Sequence, residues 1–318
     1  MKILIAIILL FFLSYTSHLN FRLLSHLSSA PSILTLIILI YCISIFISSW
    51  RWYQLNKCQG ISLSLSKTIL PTYIGIALNN LLPGSVSGDF YRLYFLFKKI
   101  PENRSRVMTS ILVDRITGLI GVFLTVCVVT LFHLNIIQGR STLFYFVLFS
   151  FGVSLGFLIL FLFSSLLSER IDIRSWLSKS FPNKKWLMPI LSLLEAIYIY
   201  SKSKTTILKC LAASILIQIM IVIICQLIAK CMDFPSISFF SYIIASAVTQ
   251  VANLIPITPG GIGVGEIAFA HTLTLLNPEI SVTYATIFLA YRLIGIILYL
   301  PSAIVLAFSS SLKLSVVK

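Results

Sequence analysis

The chain reads as long apolar stretches separated by short polar joints. Unbroken runs over residues 3–19, 33–50, 107–132, 142–166, 206–230 and 284–309 are each near the ~17–25 residues that an α-helix needs to cross a bilayer core. Two further apolar stretches, 66–97 and 238–276, are interrupted. The first carries Pro83-Gly84 and Gly88. The second carries Pro256, then Pro259-Gly260-Gly261, Gly263 and Gly265. Proline removes a helical N–H and glycine accepts turn geometry, so each stretch predicts two half-helices joined by a non-helical turn. The one long polar stretch is 168–205. Its Trp176, Trp186, Leu187 and basic residues fit an amphipathic cytoplasmic segment on the membrane surface, or equally an ordinary basic loop. At the N-terminus, Lys2 and the apolar Ile3–Leu13 also resemble a secretory leader, with a weak small-residue site at Ser14-Tyr15-Thr16. A retained first span is the preferred reading, because the repeat described below has a place for it.

Composition agrees with the pattern. The chain has 318 residues, 58% hydrophobic and 10% charged, with a mean hydropathy of +1.02. A soluble domain carries roughly 25% charged residues, so this chain has too few charges to cover a surface in water. Spans and short joints also leave no room for a separate soluble catalytic domain. The six cysteines are scattered, mostly within apolar runs and without C-x-x-C spacing, which fits buried apolar residues rather than a disulfide frame or a zinc site.

The net charge of +15 changes the picture in a different way. In a soluble protein it would point to nucleic acid. Here it reports orientation, because cytoplasmic loops are enriched in Lys and Arg. With Lys2 cytoplasmic and each broken stretch leaving and returning on one side, 18 of the 24 basic residues fall on the cytoplasmic side. Arg51 is one of them, in an apparent interfacial belt with Trp50, Trp52 and Tyr53. Arg22, Arg140 and Lys230 fall outside, and Arg92, Arg115 and Arg292 fall within the membrane. A bacterial inner membrane with both termini cytoplasmic is the expected location, and no nucleic-acid partner is expected.

The two broken stretches match each other. Asn80-Leu81-Leu82-Pro83 aligns with Asn253-Leu254-Ile255-Pro256 at an offset of 253 − 80 = 173. After four inserted residues the offset holds at 177. It pairs Gly88-Asp89 with Gly265-Glu266, Pro101-Glu102 with Pro278-Glu279, Arg115 with Arg292 and Gly118 with Gly295. Each unit has three spans and one hairpin. Three is odd, so the second unit is inverted relative to the first. The expected fold is an all-α polytopic membrane protein of two inverted-topology repeats, residues 1–140 and 141–318, each with a broken or re-entrant hairpin. That architecture is common among secondary transporters, whose sites lie where the broken helices meet.

The candidate chemistry is carried by six charges in the membrane region: Asp89, Arg92, Asp114, Arg115, Glu266 and Arg292. Each costs about 2.5–3.5 kcal/mol at a span centre if unpaired, so they are expected to pair or to line a wet cavity. Asp89 and Arg92 share a helix face at i,i+3. Asp89–Arg115 and Glu266–Arg292 share one separation of 26 residues, so Arg115 is expected to reach Asp89, and Arg292 to reach Glu266. The rival readings are arginines that snorkel to headgroups, or pairs that only staple hairpins to spans. The glycine-rich turns before each second half-helix suit an anion at a helix start, or close packing. His18, His26, His133 and His271 lack ligand spacing, and no nucleophile–base set assembles. No cofactor, metal or catalytic residue is expected.

Asn79-Asn80-Leu81-Leu82-Pro83-Gly84, with Gly88-Asp89 and Arg92, resembles the pattern N-N-L-L-P-G-x-x-G-E-x-x-R. Pro256-Ile257-Thr258-Pro259-Gly260-Gly261-Ile262-Gly263-Val264-Gly265-Glu266 resembles P-x-x-P-G-G-x-G-x-x-E. Both patterns belong to the lysylphosphatidylglycerol synthase transmembrane-region family, also called flippase-like or UPF0104 membrane proteins. The sequence departs from the first pattern in having three residues rather than two between Gly84 and Gly88, and at Asp89, one methylene shorter than the usual Glu. The resemblance implies movement of a lipid between leaflets. In two-domain members a soluble domain makes the aminoacylated lipid. Here the sequence ends at Lys318, soon after the last span, so no lysyl transfer is expected.

Two functions follow from these residues. One is translocation of an anionic or lipid-linked headgroup held by Asn80, Asp89, Arg92, Arg115, Glu266 and Arg292, with a membrane phospholipid or lipid-linked substrate as partner. The other is an accessory subunit or embedded enzyme in lipid-linked glycosyl or aminoacyl transfer, with a transferase partner.

Overall fold

The computed structural model describes residues 19–82, 86–100, 104–133, 141–167, 199–200, 202–255, 257–280 and 283–314, together with Phe11 and Tyr15. The side chains of 162–167 and 303–314 are outside this description. Most of the predicted 3–19 span and of the 168–205 segment also lies outside the described residues.

Every regular element described is helical. After a short 3-10 helix at Phe21–Leu27 come α1 (Pro31–Cys58), α2 (Leu65–Leu81), α3 (Ser87–Lys99), α4 (Arg104–Phe132) and α5 (Ser141–Leu167). Then follow α6 (Lys204–Cys231), α7 (Phe239–Ala252), a 3-10 turn at Pro259–Gly261, α8 (Val264–Leu276) and α9 (Tyr284–Leu314). Five of these, α1, α4, α5, α6 and α9, contain stretches long and apolar enough to cross a bilayer. They coincide with five of the six predicted runs.

The interrupted stretches are two helical hairpins. Pro31 opens α1, where its missing N–H costs nothing. Gly60, at φ +72°, turns the chain after α1 toward α2. α2 and α3 pack on each other, as do α7 and α8. At 1.5 Å per residue these arms are only about 20–25 Å long, short of the ~30 Å hydrocarbon core.

α1 lies against α6, and α6 against α4. The first hairpin packs through α2 on α1 and α9, and the second through α7 on α6 and α4. The largest apolar core joins α1, α6, α7, α8 and α9 around Tyr41, Cys225, Tyr242, Phe269 and Tyr284. α5 packs chiefly on α4 and leaves Phe144, Tyr145, Phe149 and Leu160 exposed. Such a face is unsuited to water and suited to lipid.

One expectation is corrected here. The 33–50 run ends in sequence at Arg51, yet α1 continues to Cys58. Arg51 is only 9% exposed and Trp52 is fully buried. Arg51 and Trp52 face the bundle interior, while Trp50 and Tyr53 are half-buried. Trp52 packs with Leu96, Val107 and Ile111, and Arg51 finds a carboxylate inside the bundle.

Candidate functional site

The first hairpin is tied to its neighbours by a chain of charges. α3 brings Asp89 and Arg92 one turn apart, and α4 brings Asp114 and Arg115 about 15 Å from its own start. Arg115 Nε donates to Asp89 Oδ2. Arg92 Nη1 lies 2.9 Å from Asp114 Oδ2 and 4.0 Å from Asp89 Oδ1. Asp114 Oδ1 accepts from Arg51 Nε at 2.8 Å, and Arg51 Nη1 donates to Ser214 Oγ on α6 at 2.8 Å. Arg92 also stacks on Trp52, its guanidinium carbon 4.9 Å from the ring centroid. Three arginines and two aspartates thus link α1, α3, α4 and α6.

Close packing makes this reach possible. A Cβ on Gly88 would stand 1.8 Å from the Gly75 carbonyl oxygen, so the two hairpin arms touch backbone to backbone. The Gly88 N–H donates to Asn79 Oδ1 at 2.8 Å, which fastens the start of α3 to the end of α2.

The second hairpin uses one pair. Glu266 on α8 is completely buried. Its Oε2 accepts from the Gly263 N–H at 2.7 Å, and its Oε1 from Arg292 Nε at 2.8 Å. Arg292 projects from α9. Its Nη1 donates to the Gly260 carbonyl and its Nη2 to the Gly261 carbonyl at 3.2 Å. Gly260, Gly261 and Gly263 have φ of +56°, +74° and +85°, which L side chains avoid. Arg292 is thus a clamp on the turn and does not snorkel to headgroups.

The predicted pairs Asp89–Arg115 and Glu266–Arg292 are both formed. Gly88, Pro259, Gly260, Gly261, Gly263 and Gly265 lie at the hairpin turns or the helix starts just after them. Pro83, Gly84 and Pro256 lie outside the described residues.

The two hairpin tips meet. A Cβ on Gly260 would stand 2.4 Å from the Asn80 carbonyl oxygen, at the end of α2. Beside this contact lies a cavity of about 210 Å³, lined by Asn79 and Asn80 from the first hairpin and Gln250, Asn253 and Thr258 from the second. Phe288, Tyr291 and Arg292 on α9 complete one wall, and Ile221 and Ser246 another. Asn80 Nδ2 donates to the Ile76 carbonyl at 2.8 Å. Behind the wall, Gln250 Nε2 donates to Gln218 Oε1, and Gln218 Nε2 to Ser246 Oγ at 2.8 Å. Exposed apolar side chains flank the tips: Leu82 and Val86 on one, Leu254, Ile255 and Ile257 on the other.

Sequence reasoning missed Arg51, Asn79, Gln218, Gln250, Asn253 and Thr258. The signal that was present is a lone amide within a long apolar run, which in a membrane seeks a partner on another helix.

Helical spans around two short charged hairpins define a polytopic membrane protein. Residues 1–302 match the family described as the lysylphosphatidylglycerol synthase TM region, and the chain belongs to that family. It is also similar to a UPF0104 membrane protein of Pyrococcus horikoshii, 37% identical over 103 residues. That match spans 32% of this chain and 31% of the relative's length.

Proposed function

We propose that this protein moves a lipid between the two leaflets. The headgroup passes through the cavity between the hairpin tips while the acyl chains remain against the apolar residues that flank it. The observation that carries this reading is the cavity itself, which brings Asn79, Asn80, Gln250, Asn253, Thr258 and Arg292 together at hairpins whose tips expose Leu82, Val86, Leu254, Ile255 and Ile257. At about 210 Å³ it is below the roughly 300–1,000 Å³ of sites that engulf a drug-sized ligand, so it suits a headgroup and excludes acyl chains.

In this reading the two halves, 1–140 and 141–318, are inverted repeats that rock about the hairpin contact. Two facts support it. Arg115–Asp89 and Arg292–Glu266 use the same nitrogen to bind a carboxylate at the same separation. The cross-packing is also reciprocal: the first arm of each hairpin lies on the last span of the other half, α2 on α9 and α7 on α4. The excess of basic residues on one side supports a cytoplasmic location for those loops.

The six charges of the hairpins and their spans then act in two ways. Asp89, Arg92, Asp114, Arg115, Glu266 and Arg292 hold the hairpins in register, and Arg292 gives the cavity a positive wall for a lipid phosphate. Proteoliposomes carrying a fluorescent phospholipid and a membrane-impermeant quencher test the reading. The protein is expected to expose inner-leaflet lipid to the quencher. Rates equal to those of protein-free vesicles would refute it.

A further inference from the structure

The cavity has a chemistry of its own, which the buried charges do not explain. Thr258 is 1% exposed and lines it, yet Thr258 Oγ1 has no hydrogen-bond partner. Asn253 lines it as well, and its Oδ1 is a second buried oxygen without a partner. A buried polar atom left unpaired costs about 1–3 kcal/mol, so two on residues that line one cavity mark a place where a ligand supplies the missing bonds. The neighbouring glycines keep Asn253 in position. A Cβ on Gly261 or Gly265 would lie 2.1 or 2.8 Å from Asn253 Oδ1.

The unpaired atoms are acceptors. An amide carbonyl only accepts, and a threonine hydroxyl accepts as readily as it donates. Gln250 adds a third acceptor, because its nitrogen is directed to Gln218 and its oxygen is left for other donors. A ligand with O–H or N–H groups fits this set.

The charge of the wall separates hydroxyls from ammonium groups. Among the described residues, the only charged one lining the cavity is Arg292. Glu266, the acid paired with Arg292, is fully buried and has both oxygens bonded, to Gly263 and Arg292. An ammonium brought here would lose its hydration without gaining a carboxylate, which is costly. A neutral hydroxyl would gain hydrogen bonds at no charge penalty. Phe288 and Tyr291 add aromatic surface for the C–H face of a polyol.

We infer that Asn253, Thr258 and Gln250 form a subsite that reads the hydroxyls of a neutral polyol headgroup, glycerol or a single sugar, and rejects an ammonium headgroup. This deepens the proposed lipid movement and rests on it.

Native mass spectrometry of the full-length protein, offered an equimolar mixture of four lipids, tests the inference. The mixture contains phosphatidylglycerol, a monohexosyl diacylglycerol, phosphatidylethanolamine and phosphatidic acid. The two hydroxylated lipids are expected to be retained over phosphatidylethanolamine, and the stronger of the two names glycerol or sugar as the source. Thr258→Val, which keeps shape and removes the hydroxyl, is expected to lower that preference roughly three- to tenfold, as loss of one hydrogen bond does. Asn253→Asp, which supplies the missing carboxylate, is expected to shift retention toward phosphatidylethanolamine, an effect that unfolding would not produce. Preferential retention of phosphatidylethanolamine by the wild type overturns the inference, as does unchanged selectivity in both variants. The same four lipids in the quenching assay separate the two claims. Selective retention without movement removes the translocase reading and keeps the subsite. Movement without headgroup preference removes the subsite and keeps the translocase. Neither retention nor movement removes both.

Discussion

Arg292 donates from Nε to Glu266 Oε1 at 2.8 Å, and its other two nitrogens close on the carbonyls of Gly260 and Gly261. One side chain from α9 thereby fixes the start of α8 and the turn before it. Without it, a buried carboxylate and two carbonyls lose donors together. Removing one partner of a buried pair typically costs about 3–5 kcal/mol. Arg292→Ala is expected to lower the thermal unfolding midpoint in detergent sharply. Glu266→Gln, which keeps an acceptor for the Gly263 N–H, is expected to cost less. The double variant should lose less than the sum of the two, which a double-mutant cycle measures.

The hairpin arms make a second prediction. Gly88→Ala would place a methyl 1.8 Å from the Gly75 carbonyl oxygen. Overpacking of this kind costs about 1–3 kcal/mol or more, so the variant should unfold at lower temperature and lose yield. Gly152, on α5, has nothing within 4 Å of its would-be Cβ. Gly152→Ala is expected to stay within about 0.5 kcal/mol of the wild type. Thermal unfolding of both in one detergent checks the pair.

Asp114 bridges Arg51 and Arg92. Asp114→Asn leaves two buried guanidinium groups without their shared anion, and is expected to destabilise by several kcal/mol, on the order of the 3–5 kcal/mol for a broken buried pair. Adding Arg51→Met, which removes one of the stranded cations, should recover part of that loss. Lys57→Ala, at an exposed position on the same helix, should be neutral. Urea titration of the three variants gives the order.

The membrane spans and the two pairs were legible in the sequence for physical reasons. Apolar length sets a span, Pro and Gly break one, and a constant 26-residue separation repeats a constant distance. Arg51 was not legible. It lies near the end of an apolar run beside Trp50, Trp52 and Tyr53, a pattern shared by interfacial belts, and only packing reveals that Asp114 is within reach. Asn80 and Arg292 on the cavity wall were among the sequence candidates, but the rest of the wall was hidden. Gln218 and Gln250 belong to different helices, and no spacing along the chain links an amide to a partner 32 residues away. At the offset of 177, Asp114 and Arg92 correspond to Tyr291 and Phe269, so one half carries charges where the other carries aromatics.

The most direct test of the account is to block the cavity and follow the lipid. Gln250 lines the cavity and belongs to neither ion-pair cluster. Gln250→Trp fills the space while leaving Arg292–Glu266 and Asp89–Arg115 intact, and an unchanged elution profile and unfolding midpoint would show that the bundle persists. In proteoliposomes with a fluorescent lipid and an impermeant quencher, wild type should expose the inner leaflet and Gln250→Trp should fall to the protein-free rate. A folded Gln250→Trp that moves lipid as fast as wild type would contradict passage between the hairpins.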